Sequence, residues 1–422
     1  MASVNASGTM KSVCILLQNY YEIDIRVRRK AEALVAEGYT VDVLSLHSSH
    51  SAGKESVVEG VNVYTFSLGK ERGSKLRYLF EYFSFLVWTM FKLASLMKHR
   101  RYSVVDVNNL PDFLVFAAVF AKWKGAKVVF DMHEITPEFI MSKYGVAEGN
   151  WQVRLARIIE RASMGYADHV ITINEPIQRL LETRGLAPAK STVIMNAVDE
   201  SMFASAAGAP VPAKAAASSV GFVMMYHGTL TRIYGMDIAI EAFGLVQREM
   251  PDAELWILGG GPDKSLLDIL SRQHGLESRV KLLGTVLPNE IPAWLNRCDI
   301  GVLATRRDVF LDFSFSNKLS EYIIMGKAVI CSRLKAIGHY FSGDSLAYFE
   351  PNDPQSLSQQ MLRLYRDKEL RARLSAKAKE EYAPIAWEVM KKRYLEMMAR
   401  IAGVETVRPL APQTHVSEAT HG

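Results

Sequence analysis

Short apolar runs spaced by longer amphipathic stretches, and divided into two series by one low-complexity segment, constrain this chain more than any other feature. The first series is "SVCILLQ" (12–18), "VDVLSL" (41–46), "VNVYTFSL" (61–68), "VVDVN" (104–108), "KVVFDMH" (127–133), "HVITIN" (169–174) and "TVIMNAV" (192–198). The second is "FVMMYHG" (222–228), "ELWILGGG" (254–261), "VKLLGTV" (280–286), "IGVLATR" (300–306), "KAVICS" (327–332) and "LAYFE" (346–350). Near-continuous apolar strands separated by helical patterns such as "RVRRKAEALVAEG" indicate parallel sheets covered on both faces. Between the series, "ASAAGAPVPAKAAASSVG" (204–221) has few large apolar side chains and reads as a linker. The expected fold class is α/β, with two doubly wound Rossmann-like domains facing each other across a cleft. Expected boundaries are 11–203 for the first domain and 222–385 for the second, then 386–402 for a C-terminal helix packing back on the first, and 403–422 for a disordered tail. In such sheets ligands bind beyond the carboxyl ends of the strands, which puts the site in the cleft.

The 422 residues, 49% hydrophobic and 23% charged, suit a folded chain of this size and exclude a disordered one. Cys14, Cys298 and Cys331 lie far apart with no CxxC spacing, so neither a disulfide framework nor a zinc site is expected, and a reducing compartment fits. The first residues lack the pattern of a secretory signal and read as a frayed leader. Charge is unevenly placed. Between Lys70 and Arg101 eight Lys/Arg face two acids, a local balance of +6 against +5 for the whole chain. The aromatic and aliphatic stretch inside that segment favours an anionic membrane surface over nucleic acid as partner. Tyr78 to Met97 is twenty residues long, enough to span a bilayer, but it lies between strands of one sheet. It therefore reads as a helix in the membrane interface, with Phe80, Phe83, Leu86, Val87, Met90, Phe91 and Leu93 toward lipid. Arg72, Lys75, Arg77, Lys98, Arg100 and Arg101 would face the headgroups. The competing reading is a helix buried against its own sheet. The expected location is cytoplasmic, peripheral on the inner face of the plasma membrane.

No GxGxxG follows a strand, GxxxxGK[ST] is absent, and there is no DxD, HExxH or Cys/His cluster, so no cofactor and no metal are expected. The informative stretch is "SFSNKLSEYIIMGKAVICS" (314–332). If Ser316 caps a helix running to about Met325, the N–H groups of Asn317, Lys318 and Leu319 are unpaired and form an anion site. Lys318 adds a full charge there. Glu321, just over a turn further in, suits a vicinal diol such as a ribose. Phosphate plus ribose describes a nucleotide, whereas a capped surface helix with solvated Lys and Glu is the bland alternative.

"FSNKLSEYIIMGKAVI" resembles the donor site of retaining GT-B glycosyltransferases, specifically glycosyltransferase family 4. Similar stretches follow the family order: "DIRVRRKAEALVAEGYTVDVLSL" (24–46), "VVFDMHEITPE" (128–138), "ADHVITIN" (167–174), "VIMNAVDESMF" (193–203), "YHGTLTRIYGMDIAIEAF" (226–243), "ELWILGGGP" (254–262) and "VKLLGTV" (280–286). The resemblance implies a nucleotide diphosphate-sugar donor, a saccharide or lipid-linked acceptor, and retention of anomeric configuration. It also implies roles for individual residues. Glu321 would hold the ribose, while Lys318, Asn317, Ser316 and Leu319 receive the diphosphate and Gly228, Thr229 and Gly260 line the donor. Arg232 would neutralise the leaving nucleotide, without the Lys that relatives place near it. His133 would contact the donor sugar near the reacting carbon. Asp24, Arg26 and Glu134 would meet the acceptor, although for Asp24 and Arg26 a structural pairing is the favoured reading. Phe313 stands where many relatives have a glutamate, with Asp312 beside it. Two rivals stay open: another nucleotide-sugar enzyme of the same fold, such as an epimerase or phosphorylase, and a noncatalytic nucleotide-sugar-binding protein.

Overall fold

The computed structural model describes residues 11–49, 51, 53–68, 75–204 and 221–403. Most of the expected linker, the leader, Arg72 and the tail beyond residue 403 lie outside the described residues. The chain forms two open sheets. The first is built from β1 (Ser12–Tyr20), β2 (Thr40–Leu46), β3 (Glu55–Val58), β4 (Val61–Phe66), β5 (Tyr102–Asn108), β6 (Lys127–Met132), β7 (His169–Thr172) and β8 (Ser191–Val193). Its order is β3-β4-β2-β1-β5-β6-β7-β8. All neighbours are parallel except the antiparallel β3–β4 pair. The second contains β9 (Phe222–His227), β10 (Ala253–Leu258), β11 (Val280–Gly284), β12 (Ile300–Leu303), β13 (Ala328–Ser332) and β14 (Ala347–Phe349), ordered β11-β10-β9-β12-β13-β14 and wholly parallel. The expected α/β class is what the chain adopts.

The central strands are buried on both faces, as their unbroken apolar runs require; every residue of β9 is buried. β4, near the edge, alternates buried and half-buried residues instead. The run at 192–198 departs from expectation, because only Ser191–Val193 pairs as strand. Ile194, Met195, Ala197 and Val198 are buried all the same. Their apolarity serves the C-terminal helix Trp387–Ile401: the Met195 N–H points at the Met390 sulfur, 3.3 Å away. This helix lies on the first domain. Arg393 donates to the Val193 carbonyl (3.2 Å), Tyr394 to Asp106 (3.0 Å) and Lys11 to the Ala402 carbonyl (2.8 Å).

The helix Lys75–Leu96 corrects part of the membrane expectation. Glu81, Phe85, Thr89 and Leu93 recur every four residues and are buried against the sheet, so Leu93 does not face outward. Phe80, Phe83 and Phe91 do, each at least 60% exposed. They share an outer layer with Trp123 of the helix Val119–Trp123 and with Trp151, Leu155 and Ile158 of the helix Trp151–Tyr166. All three helices bury residues in the same core beneath that layer. The basic flank is partly neutralised: Arg77 pairs with Glu81 (3.3 Å), Lys92 with Glu55 (2.7 Å) and Arg100 with Asp42 (2.6 Å). Lys98 and Arg101 remain exposed. No helix among the described residues is long and apolar enough to cross a membrane.

The domains meet along one side of the cleft. Ser142 donates to Asp308 (2.6 Å), Asn174 to the Phe313 carbonyl (2.9 Å), and the Glu175 N–H to the Tyr340 hydroxyl (2.9 Å). Phe139 and Phe310 pack edge to face, 5.5 Å between ring centres.

Candidate active site

The carboxyl ends of β6 and β9 bring the two halves of the site to the cleft. On the second domain, the helix Asn317–Ile324 follows Ser316, which sits at the N-cap in an extended conformation. Its side chain makes no capping bond. The Ser316 carbonyl instead receives the Leu319 N–H at 3.0 Å, so neither Ser316 Oγ as cap nor the Leu319 N–H as free donor matches expectation. Leu319 itself is core. The N–H groups of Asn317 and Lys318 remain without a backbone partner among the described residues. The Asn317 side-chain oxygen is buried and unpartnered. Gly326, at φ 69°, ends the segment as expected.

Lys318 runs back over the end of β9. A Cβ on Gly228 would lie 2.2 Å from Lys318 Cε, so only glycine lets the lysine pass. A Cβ on Gly259 would in turn lie 1.8 Å from the Gly228 carbonyl oxygen, which packs these two turns backbone to backbone. Lys318 Nζ rests 4.5 Å from the ring centre of Tyr234 and 5.7 Å from that of Tyr226. No carboxylate pairs with it among the described residues. Burial lowers its pKa and the nearby Glu321 charge partly restores it. Glu321 accepts a 2.5 Å contact from His227 Nε2. Gly260 lies beside Thr285 and Thr229 is exposed, its carbonyl accepting from the Tyr226 hydroxyl at 2.9 Å. Arg232 is exposed, its guanidinium without a described partner, while its carbonyl accepts from the Gly235 N–H (3.2 Å) and from Arg306 (3.0 Å). Asp312 is committed elsewhere, to the Lys335 N–H (2.8 Å) and Arg307 (3.5 Å).

On the first domain, His133 follows β6. Its Nε2 lies 3.1 Å from Asn108 Oδ1 and 3.3 Å from Asp131 Oδ2. Both are acceptors, so Nε2 carries the proton and Nδ1 has no described partner. Beneath it lies a charge-matched network, in which Asp106 Oδ1 is buried without a described partner. Arg26 makes a two-pronged bond to Asp131 (2.9 and 3.2 Å), and Lys30 donates to Asp131, Asp106 (3.1 Å) and Asn108 (2.9 Å). Burial alone would raise the Asp131 pKa, but Arg26, Lys30 and His133 hold its carboxyl well below the usual range. Arg26 is thereby removed from the acceptor position expected for it. Asp24 caps the helix Ile25–Ala36 through the Val27 N–H (3.1 Å) and accepts from Asn19 (3.1 Å), so the two residues are structural without pairing to each other. The Asn109 amide brackets the next turn, accepting from the His133 N–H (2.7 Å) and donating to the Glu134 carbonyl (2.8 Å). Glu134 is held there with one carboxyl oxygen buried and unpartnered, and burial pushes its pKa up to about 7. It is close enough to Tyr234, across the cleft, for its charge to add to the burial that raises the Tyr234 pKa.

Sequence reasoning missed His227, Tyr226, Tyr234, Lys30 and Asp131. His227 carried a usable signal, since it ends a central strand just before a glycine, as His133 ends another. The tyrosines and the network residues carried none, because their partners lie on other elements.

Two parallel α/β domains with facing sites at their strand ends define the GT-B class, and family models agree. "Glycosyl transferase 4-like domain" matches residues 23–197 and "Glycosyl transferases group 1" matches residues 221–367. The chain is a glycosyltransferase of the GT-B type. A curated relative, one of the subunits of phosphatidylinositol N-acetylglucosaminyltransferase from Arabidopsis thaliana, is 24% identical over 271 residues, covering 63% of this chain and 55% of that protein. The chain thus spans about half the length of that relative. Among solved structures, sucrose-phosphate synthase of Thermosynechococcus elongatus superposes with a TM-score of 0.72 at 16% identity, over 94% of this chain and all of the other. HepE of Anabaena in complex with UDP gives 0.66 at 15%, over 93% of this chain and 100% of that one. WaaG, a glycosyltransferase involved in lipopolysaccharide biosynthesis, gives 0.64 at 13%, over 90% and 98%. At such identities the likeness concerns the fold.

Proposed function

We propose that this chain transfers a sugar, with retention, from a nucleoside diphosphate-sugar held mainly by the second domain to a hydroxyl of a lipid-linked saccharide held by the first, in polysaccharide or glycolipid biosynthesis. The observation that carries this reading is Lys318: a half-buried ammonium between two tyrosine faces, with no carboxylate paired to it among the described residues, at the head of a helix whose first N–H groups are open. Such an arrangement is completed by an anion. Glu321, one turn along, suits the ribose. HepE's complexes with UDP and UDP-glucose support a nucleotide-sugar donor, and the phosphatidylinositol in the plant relative's name supports a lipid acceptor.

The chemistry follows from where charge develops. The bond between the anomeric carbon and the phosphate oxygen breaks, its electron pair going to the diphosphate. The acceptor oxygen bonds to that carbon on the same face, and its proton passes to the departing phosphate oxygen. Lys318, the open N–H groups and Arg232 from the rim disperse the phosphate charge, while His133 faces the reacting carbon. Glu134 meets the acceptor hydroxyl. No metal is required in this scheme, so activity should persist in EDTA. Contact with an anionic membrane through the aromatic outer layer of the first domain would bring a lipid-linked acceptor to the cleft.

The test is a thermal-shift screen of UDP-, GDP- and ADP-sugars, then incubation of the best with membrane lipid extracts. Lys318→Ala should weaken binding of the diphosphate far more than of the free nucleoside, and Glu321→Gln should cost on the order of 1.5–3 kcal/mol of nucleotide affinity. Equal losses for nucleoside and diphosphate in Lys318→Ala would remove the phosphate contact. Sugar released without an acceptor would favour a different nucleotide-sugar enzyme.

A further inference from the structure

His227 ends β9, 5% exposed, and both ring nitrogens are engaged. Nε2 meets Glu321 Oε2 at 2.5 Å, and Nδ1 meets the Tyr322 hydroxyl at 3.1 Å. The single Tyr322 proton is directed at the Met225 carbonyl, 2.7 Å away. The phenol oxygen must therefore accept from Nδ1, so Nδ1 carries a hydrogen. The contact at Nε2 then needs a second proton, shared with the carboxylate, and it is a charge-assisted bond. A chain of hydrogen bonds runs from the β9 backbone through Tyr322 and His227 to one oxygen of Glu321. The other oxygen, Oε1, receives no bond from any described residue, and the Glu321 side chain keeps 21% of its surface open.

A free glutamate samples several rotamers, and fixing them on ligand binding costs affinity. Here the cost is met before any ligand arrives. We infer that His227 is a positioning residue of the donor site: it anchors Glu321 by Oε2 so that Oε1 is aimed at the vicinal hydroxyls of the nucleotide ribose. This rests on the donor reading given above, with Glu321 as the ribose carboxylate. Tyr322 is the support that fixes the ring, since its other bond goes to the strand backbone.

The experiment compares two ligands and three variants. The ligands are whichever of UDP, GDP and ADP binds the unaltered chain best, and its 2′,3′-dideoxy counterpart, with affinities measured by calorimetry. His227→Asn keeps a polar group near Tyr322 but withdraws it from Glu321, whereas His227→Gln keeps an N–H within reach of the carboxylate. Glu321→Gln calibrates the ribose contact. The expected result is a loss of about ten-fold for the ribonucleotide in His227→Asn, with the dideoxy ligand changed less than about two-fold, and most of the affinity retained in His227→Gln. Equal losses for both ligands in His227→Asn would reduce His227 to a packing role and overturn the inference. So would an unchanged ribonucleotide affinity in His227→Asn alongside a loss in Glu321→Gln. If Glu321→Gln leaves both ligands unaffected, the donor reading fails first and takes the inference with it. Should His227→Asn not fold, the His227→Gln variant decides: a ribose-selective loss as large as that of Glu321→Gln would show that an N–H at this position does not suffice, and would overturn the inference.

Discussion

Two groups of charge, one buried and one half-buried, face the cleft from opposite domains, and they are built on opposite rules. Under His133, Arg26, Lys30, Asp106 and Asp131 form a set in which two cations meet two carboxylates, joined by Asn108 and by Tyr394 from the C-terminal helix, with Asp106 Oδ1 alone left without a described partner. At the head of the helix Asn317–Ile324, Lys318 has aromatic faces but no carboxylate, and the Asn317 oxygen has nothing. Burying charge is costly unless it is matched, so a matched set belongs to the scaffold and an unmatched one is held ready for something that arrives later. On the proposed donor reading, the difference separates residues that make the fold from residues that take a ligand, although both are lysines near strand ends.

Methionine at each lysine should break that comparison in opposite directions. Lys30→Met leaves Asp106 and Asp131 short of a partner and should cost about 3–5 kcal/mol in urea unfolding. Lys318→Met should leave stability unchanged or raise it, because burial already disfavours the folded ammonium, while nucleotide binding is lost. Comparable destabilisation by both would show that Lys318 is scaffold too.

Glu134 sharpens the contrast within the first domain, since it sits beside the charge-matched network yet shares none of its bonds. Its pKa of about 7 exceeds that of a free glutamate, so the folded state keeps a proton that the unfolded chain releases. Its contribution to stability therefore falls as pH rises from about 4 to 7 and is constant above that. Glu134→Gln should remove this slope and be more stable than the parent at pH 8, by on the order of 1–3 kcal/mol, a difference that vanishes near pH 4. A stability difference that does not change with pH would show that Glu134 is not held protonated.

The smallest effect on the fold, though not on location, is expected at the outer layer. Phe80, Phe83 and Phe91 changed together to Ser should alter stability by less than about 1 kcal/mol, since these rings are already exposed. Flotation with anionic vesicles should nevertheless drop markedly. Equal flotation of parent and triple variant would take the aromatic layer out of the membrane reading.

The sequence was legible wherever a local pattern had a local cause. Doubly wound sheets follow from unbroken apolar strands, and Lys318 and Glu321 were visible because a helix start, a cation and a carboxylate lie within one turn. It was illegible where partners come from far along the chain. β3 went unread because "ESVV" has only two apolar residues and gains its place from pairing with β4. Ile194 to Val198 looked like strand because burial under a C-terminal helix has the same composition as burial in a sheet. One stripe of the helix Lys75–Leu96, through Glu81, Phe85, Thr89 and Leu93, faces the core, a division that hydrophobicity alone does not reveal when Phe side chains stand both inside and outside it. His227 and Glu321 are separated by 94 residues, so their bond exists only once the second sheet has formed.

The helix Trp387–Ile401 gives the chain an unusual order of completion. The first domain is synthesised before the second, yet Asp106 and the apolar segment after β8 receive Tyr394 and Met390 only when the residues that follow the second domain have been made. Domains generally fold as units from the N-terminus as they leave the ribosome. Here the domain made earlier is finished later, after the second domain has had time to fold on its own. A nascent chain stopped near residue 385 would carry a complete second sheet and a first domain whose core still lacks its cover.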